Sequence, residues 1–197
     1  MISAGVARIH KIFNNKALRS FLVKLRYPIV LVLFVLFIPH IKRSFFLPAF
    51  VVSMFGEAIQ VWSFGSLDKN RSLAAEGLYA LTRNPMYIGR YFLVLGFLLL
   101  MGNVWVVVAF SVLYYFYMVN RVGREEKKLE EIFGHEYDEY CSMVNRFIPS
   151  LRGSQLKSLL FFRKKFFLQN HGHWNLLGVL CCYLVFFVFA FFILPPK

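Results

Sequence analysis

The stretch LTRNPMYIGR, Leu81 to Arg90, sets two arginines, an asparagine and a proline at the head of an apolar run that carries no further charge until Arg121. Proline suits the first helical turn, where its missing N–H would be unpaired anyway, and the residue before a proline avoids the α region. Asn84 is therefore expected to N-cap a membrane helix whose first residue is Pro85. Such a start presents free backbone N–H groups and the positive end of the helix dipole, which together favour an anion. Arg83 and Arg90 add positive charge at the same place, and a guanidinium can hold a carboxylate or phosphate through two hydrogen bonds. The same two arginines also fit the ordinary basic flank of a membrane helix.

The chain around this stretch has the composition of an integral membrane protein: 197 residues, 58% hydrophobic, 17% charged, with 24 phenylalanines. A span of the hydrocarbon core takes about 20 apolar residues. Runs approaching or exceeding that length lie at Phe21 to Ile38, Phe45 to Gly65, Tyr87 to Asn120 and Asn175 to Leu194. The third is too long for one span. The turn-forming pair Gly102-Asn103 divides it into a tight helical hairpin, Pro85 to Met101 and Val104 to Val119. The sequence therefore predicts an all-α integral membrane protein with about five transmembrane helices. It is expected to form one domain: a basic arm over 1–26, four membrane helices over 27–119, a cytoplasmic helical segment over 120–173, and a last membrane helix over 174–197. The first apolar run follows a basic leader, as in a signal peptide, but no small-residue cleavage site follows it, so it is expected to be retained.

The net charge of +13 is distributed by side of the membrane. With a cytoplasmic N-terminus, 20 of the 23 lysines and arginines fall inside and only Lys42, Arg43 and Lys197 outside. This pattern argues against nucleic acid as a partner and for anionic lipid headgroups. Cys141, Cys181 and Cys182 show no metal or redox spacing. His171-Gly-His173 has no acidic or cysteine neighbour, so no metal site is expected there.

Two further features carry chemistry. The helix entering the second polar region is expected to run on to Phe133 and stop at Gly134, followed by an amphipathic helix in which Tyr137, Tyr140, Cys141 and Val144 share a face. On a helical wheel of Met118 to Phe133, the stripe Met118, Val122, Leu129, Ile132 and Phe133 contains Glu125, with Glu126 at its edge. A carboxylate in an apolar stripe costs free energy unless a cation or donor meets it. Candidates for that role are Arg121 four residues back, Arg83, Arg90, or the cationic part of a ligand. Glu57, with Gln60 one turn on, is an ionisable residue inside a membrane helix and so a functional candidate. Leu159 to Leu168 packs three cations between apolar pairs, as in a helix lying in the headgroup layer or a linker abutting the membrane.

From Gly56 to Pro149 these residues resemble the isoprenylcysteine carboxyl methyltransferase family, within the wider group that includes membrane phospholipid methyltransferases. The shared features are Gly77-Leu-Tyr79, Arg83-Asn-Pro-Met-Tyr-Ile-Gly89, Glu125-Glu126 with Leu129, Phe133-Gly134, Tyr137, Tyr140, and Arg146-Phe-Ile-Pro149. The family pattern often reads Arg-His-Pro where this chain has Arg83-Asn84-Pro85, and Asn is a common bacterial variant. The resemblance implies S-adenosylmethionine bound on the cytoplasmic side by Tyr79, Arg83, Asn84, Pro85, Tyr87, Gly89, Glu125 and Glu126. Its carboxylate suits Arg83 and the helix start, its ammonium Glu125 or Glu126, and its adenine a wall drawn from Tyr79, Tyr87 and Tyr137. A lipidic or prenylated acceptor would enter from the bilayer. Arg146 would position a carboxylate acceptor, and Glu57 would serve as base for an amine. The expected setting is a multi-pass protein of a bacterial inner membrane. Sterol reductases that use NADPH share a related turn but typically continue Pro-Asn-Tyr, against Pro85-Met86-Tyr87 here. A non-enzymatic membrane protein that keeps the fold is the third reading.

Overall fold

The computed structural model describes residues 4–68, 72–149 and 156–195. Among them every regular element is helical: α1 (Ala4–Asn14), α2 (Lys16–Lys24), α3 (Arg26–Phe37), α4 (Phe46–Ser66), α5 (Pro85–Leu99), α6 (Val104–Phe133), α7 (His135–Met143), α8 (Leu156–Leu159), α9 (Lys164–Gln169) and α10 (Gly172–Val188). Three helical stretches are long and apolar enough to cross a membrane, Arg43–Ser66, Val104–Phe133 and Gly172–Ile193. A fourth crossing is available if the bent pair Lys16–Lys24 and Arg26–His40 forms one span. The remaining apolar helix, α5, has 15 residues, about 22 Å, short of a full crossing by itself.

The unbroken helix expected from Phe21 to Ile38 is instead bent by 65° after Lys24. Pro28 is the cause: it has no N–H for the Lys24 carbonyl four residues back, and its ring crowds that oxygen. The Gly102-Asn103 turn forms where expected. Gly102 adopts φ +56, and Asn103 caps α6 by accepting from the Trp105 N–H at 2.9 Å.

The main packing partner of α5 is α4, the helix before it. A Cβ on Gly56 would stand 2.4 Å from Leu93 N and 2.5 Å from the Gly89 carbonyl, and one on Gly96 would stand 2.6 Å from the Ala49 carbonyl. The two backbones therefore touch, the usual way helices associate in lipid, where apolar surface alone gives no driving force. Ser53 Oγ donates to the Leu93 carbonyl across the contact at 2.9 Å. On the other side α10 packs on α4, with the Tyr183 hydroxyl 2.9 Å from the Ala49 carbonyl. α6 leans on α5 through tyrosines, Tyr114 donating to the Tyr87 carbonyl at 2.7 Å.

The segment after α8 is tied to the end of α4. Asn170 Nδ2 donates to the terminal carbonyls of Phe64 and Leu67 at 3.0 and 2.7 Å. The Arg163 N–H reaches Gly65 O at 2.9 Å. Where the sequence leaves a headgroup helix or a membrane-abutting linker open over Leu159–Leu168, this tethering gives the end of α8, a turn and α9, the Arg163 N–H serving an unpaired carbonyl of α4 instead of its own helix. The basic arm also docks: α1 lies on α6, where Asn14 Nδ2 donates to buried Asn120 Oδ1 at 2.8 Å.

Candidate active site

The ends of α4, α5 and α6 meet α7 around a cavity of about 600 Å³, within the usual size of a small-molecule site. The turn before α5 is stapled to the chain after α7. The Arg83 N–H donates to Asn145 O at 2.9 Å, and Thr82 Oγ1 and Asn84 Nδ2 both donate to the Arg146 carbonyl, at 3.2 and 3.1 Å. Below them Tyr140 donates to the Tyr79 carbonyl at 2.7 Å. Burial pushes the Tyr140 phenol far above its ordinary pKa, which keeps it a donor.

Asn84 holds the N-cap position by its backbone, with the Tyr87 N–H on its carbonyl at 3.2 Å. Its side chain does not cap. The expected side-chain cap is lost because the Arg146 carbonyl takes Nδ2, and the first turn of α5 keeps its N–H groups free of a side-chain acceptor.

The two glutamates differ from the wheel. Glu126, placed at the edge of the stripe, is the more enclosed, with 12% of its side chain exposed against 38% for Glu125. The chain after α7 folds over the Glu126 side, which the periodicity of one helix does not register. Glu126 Oε2 accepts from Arg146 Nε at 2.8 Å and from Nη2, and Oε1 lies 3.5 Å from Arg83 Nη1. Glu125 pairs with Arg121 at 2.8 Å and accepts from the Tyr87 hydroxyl at 2.7 Å, so the local i, i+4 partner is the one it takes.

Of the residues singled out for the cofactor, Tyr79, Arg83, Asn84, Tyr87, Glu125 and Glu126 line the cavity. Pro85 and Gly89 support it from behind, Pro85 as the first residue of α5 and Gly89 at the contact with α4. Arg146 and Glu57 lie outside the lining. Arg146 spends its guanidinium on Glu126, whose hydrogen bond raises the arginine pKa. Glu57, 1% exposed, accepts from Asn175 Nδ2 at 2.7 Å and so joins α4 to α10. Phe64, Asn170 and His171 also line the cavity. Tertiary folding alone brings them there, from as far as 88 residues along the chain from Arg83, and their sequence carries no signal of it beyond the His171-Gly-His173 pair.

Comparison with known proteins places the similarity in one family of methyltransferases. The family model for phospholipid methyltransferases matches residues 48–136. Protein-S-isoprenylcysteine O-methyltransferase of Schizosaccharomyces pombe is 33% identical over 82 residues, 42% of this chain and 35% of that protein. Protein-S-isoprenylcysteine O-methyltransferase B of Arabidopsis thaliana is 28% identical over 157 residues, 69% of this chain and 80% of that protein. Over residues 48–136 the chain is similar to this methyltransferase family. It spans about a third of the length of the fission yeast relative. No solved structure matches it significantly.

The family match encloses the α5 turn and the Glu125-Glu126 pair but ends before α7 is complete, so Tyr137, Tyr140 and Arg146 are contributed from beyond it. The fit of a methyl donor rests on two atoms. Arg83 Nε and Glu126 Oε1 are buried and have no hydrogen-bond partner, and groups so placed call for a ligand or water. One is a donor and the other an acceptor, and the residues of both line the same cavity.

Proposed function

We propose that the chain is an integral membrane methyltransferase that takes S-adenosylmethionine into this cavity and methylates a lipidic or prenylated acceptor at the cytoplasmic face. The observation that carries the reading is the pair of unsatisfied atoms: a donor, Arg83 Nε, and an acceptor, Glu126 Oε1, match the carboxylate and ammonium of an amino-acid end. The free N–H groups of α5 add to the carboxylate side. Tyr79, Leu129, Phe133 and Tyr137 offer an apolar and aromatic wall for the adenine.

When bound, the cofactor supplies an activated methyl group for in-line transfer to a nucleophilic oxygen or nitrogen. What falls to the protein is positioning and the exclusion of water, and no side-chain nucleophile is needed. Arg83 and Glu126 orient the amino-acid end, and α7 with the Asn170 segment shields it. The names of the relatives, which describe O-methylation of isoprenylcysteine, support a carboxylate acceptor with a prenyl tail. The excess of basic residues at the ends that bear the site supports a cytoplasmic location.

Ligand binding to the purified chain in detergent tests this directly. S-adenosylmethionine and its demethylated product should compete for one site, and NADPH should not displace either. Binding of NADPH in place of both would return the reductase reading, and binding of none would remove the enzyme.

A further inference from the structure

Four basic side chains line the cavity, Arg83, Arg90, Arg121 and Lys128, against two acidic ones, Glu125 and Glu126. Arg83 and Arg121 each have a carboxylate, and Lys128 is exposed on the outer side of α6. Arg90 differs from all of them. It is half-buried in an apolar helix, and among the described residues it has neither a carboxylate nor a hydrogen-bond acceptor. Its contact is the face of Tyr87, 5.5 Å from the guanidinium carbon to the ring centroid. A cation so placed is costly unless an anion meets it.

Arg90 stands six residues beyond the N-cap, roughly 9 Å along the α5 axis and toward its apolar body. The zwitterionic end of the cofactor, on the reading above, is already balanced by Arg83 Nε and Glu126 Oε1. A second anion is therefore called for, held deeper than the first. Met86, Leu129 and Ile132, the last 65% exposed, give the same cavity an apolar margin, suited to an amphiphile.

We propose that Arg90 is the anion-holding residue of the acceptor subsite, binding the carboxylate or phosphate of a lipidic acceptor and so selecting for charged over neutral amphiphiles. This rests on the methyltransferase reading for the word acceptor, but its test does not need turnover. The role assigned to Arg146 from the sequence passes to Arg90, because Glu126 neutralises Arg146.

The experiment measures equilibrium binding to the purified chain, saturated with the demethylated cofactor, of three probes: S-farnesyl-N-acetylcysteine, its uncharged methyl ester, and a single-chain phosphodiester lipid. Wild type should bind one of the two anionic probes roughly tenfold to hundredfold more tightly than the ester, the range of a hydrogen bond between charged groups. Which anion is preferred identifies the source. Arg90→Gln should abolish the preference, Arg90→Lys should keep part of it, and both should leave cofactor affinity within about twofold of wild type, which also reports that they fold. Equal binding of all three probes by wild type, or a preference unchanged in Arg90→Gln, overturns the proposal. A fall in cofactor affinity in Arg90→Gln would move the residue to the cofactor end and overturn it too. Loss of the preference in a protein that shows no methyl transfer would sustain the anion subsite and refute the proposed activity.

Discussion

Glu126→Gln keeps the shape of the side chain and removes its charge, at the point where two arginines and the proposed ligand ammonium converge. The ligand loses a hydrogen bond between two charged groups, worth about 1.5–3 kcal/mol, so affinity for S-adenosylmethionine should fall by roughly tenfold to 150-fold. The protein is also expected to lose stability. Removing one partner of a buried ion pair costs about 3–5 kcal/mol, but the Arg146 side chain is 41% exposed and solvent takes over part of its charge, which brings the expectation to about 1–3 kcal/mol. Glu125→Gln is the matched control. Glu125 is 38% exposed and paired with an arginine that is 47% exposed, an interaction worth about 0.3–0.5 kcal/mol, and its effect on cofactor affinity should stay below roughly fivefold. Calorimetric titration in detergent gives both affinities, and thermal unfolding gives both stabilities. The reasoning fails if Glu126→Gln binds within twofold of wild type, or if Glu125→Gln is the weaker binder.

Two other substitutions test the scaffold. Gly56→Ala drives a methyl group into Leu93 N and the Gly89 carbonyl, at 2.4 and 2.5 Å, backbone atoms that yield only by shifting α5; a loss of about 1–3 kcal/mol is expected, with weaker cofactor binding because Arg83 and Tyr87 ride on that helix start. An unchanged melting temperature would contradict the close α4–α5 contact. Asn175→Ala withdraws the 2.7 Å donor from buried Glu57 and should cost about 1–3 kcal/mol while leaving cofactor affinity unchanged, since neither residue lines the cavity; a fall in affinity without a fall in stability would bring Glu57 back into the site.

Much of the fold was legible locally. Asn84-Pro85 and Gly102-Asn103 mark helix starts through chemistry that acts within a few residues, and both form where the sequence puts them. The 65° bend was legible in the same way, because Pro28 acts on the carbonyl four residues back, but the apolar run masks it. What stayed hidden is set by partners distant in sequence. The Asn84 side chain turns to Arg146, 62 residues away, and Glu126 is enclosed by a segment 20 residues on. Nothing local to Arg146 marks its pairing, since the carboxylate that meets it lies 20 residues back in the chain. The small residues Ala49, Ser53 and Gly56 share one face of α4, a pattern that calls for a close neighbour without naming α5 as that neighbour. The wall from Asn170 and His171 lies beyond the family resemblance, and no motif announces it.

The decisive measurement is transfer of label from S-adenosylmethionine carrying a radioactive methyl group into the lipid extract of membranes that hold either the wild-type chain or Glu126→Gln. The proposed function predicts labelled lipid-soluble product with wild type, released by mild base if the acceptor is a carboxylate, and at least tenfold less label with Glu126→Gln at a cofactor concentration below the wild-type Kd. Label no higher than in membranes without the chain, in every fraction, would contradict it.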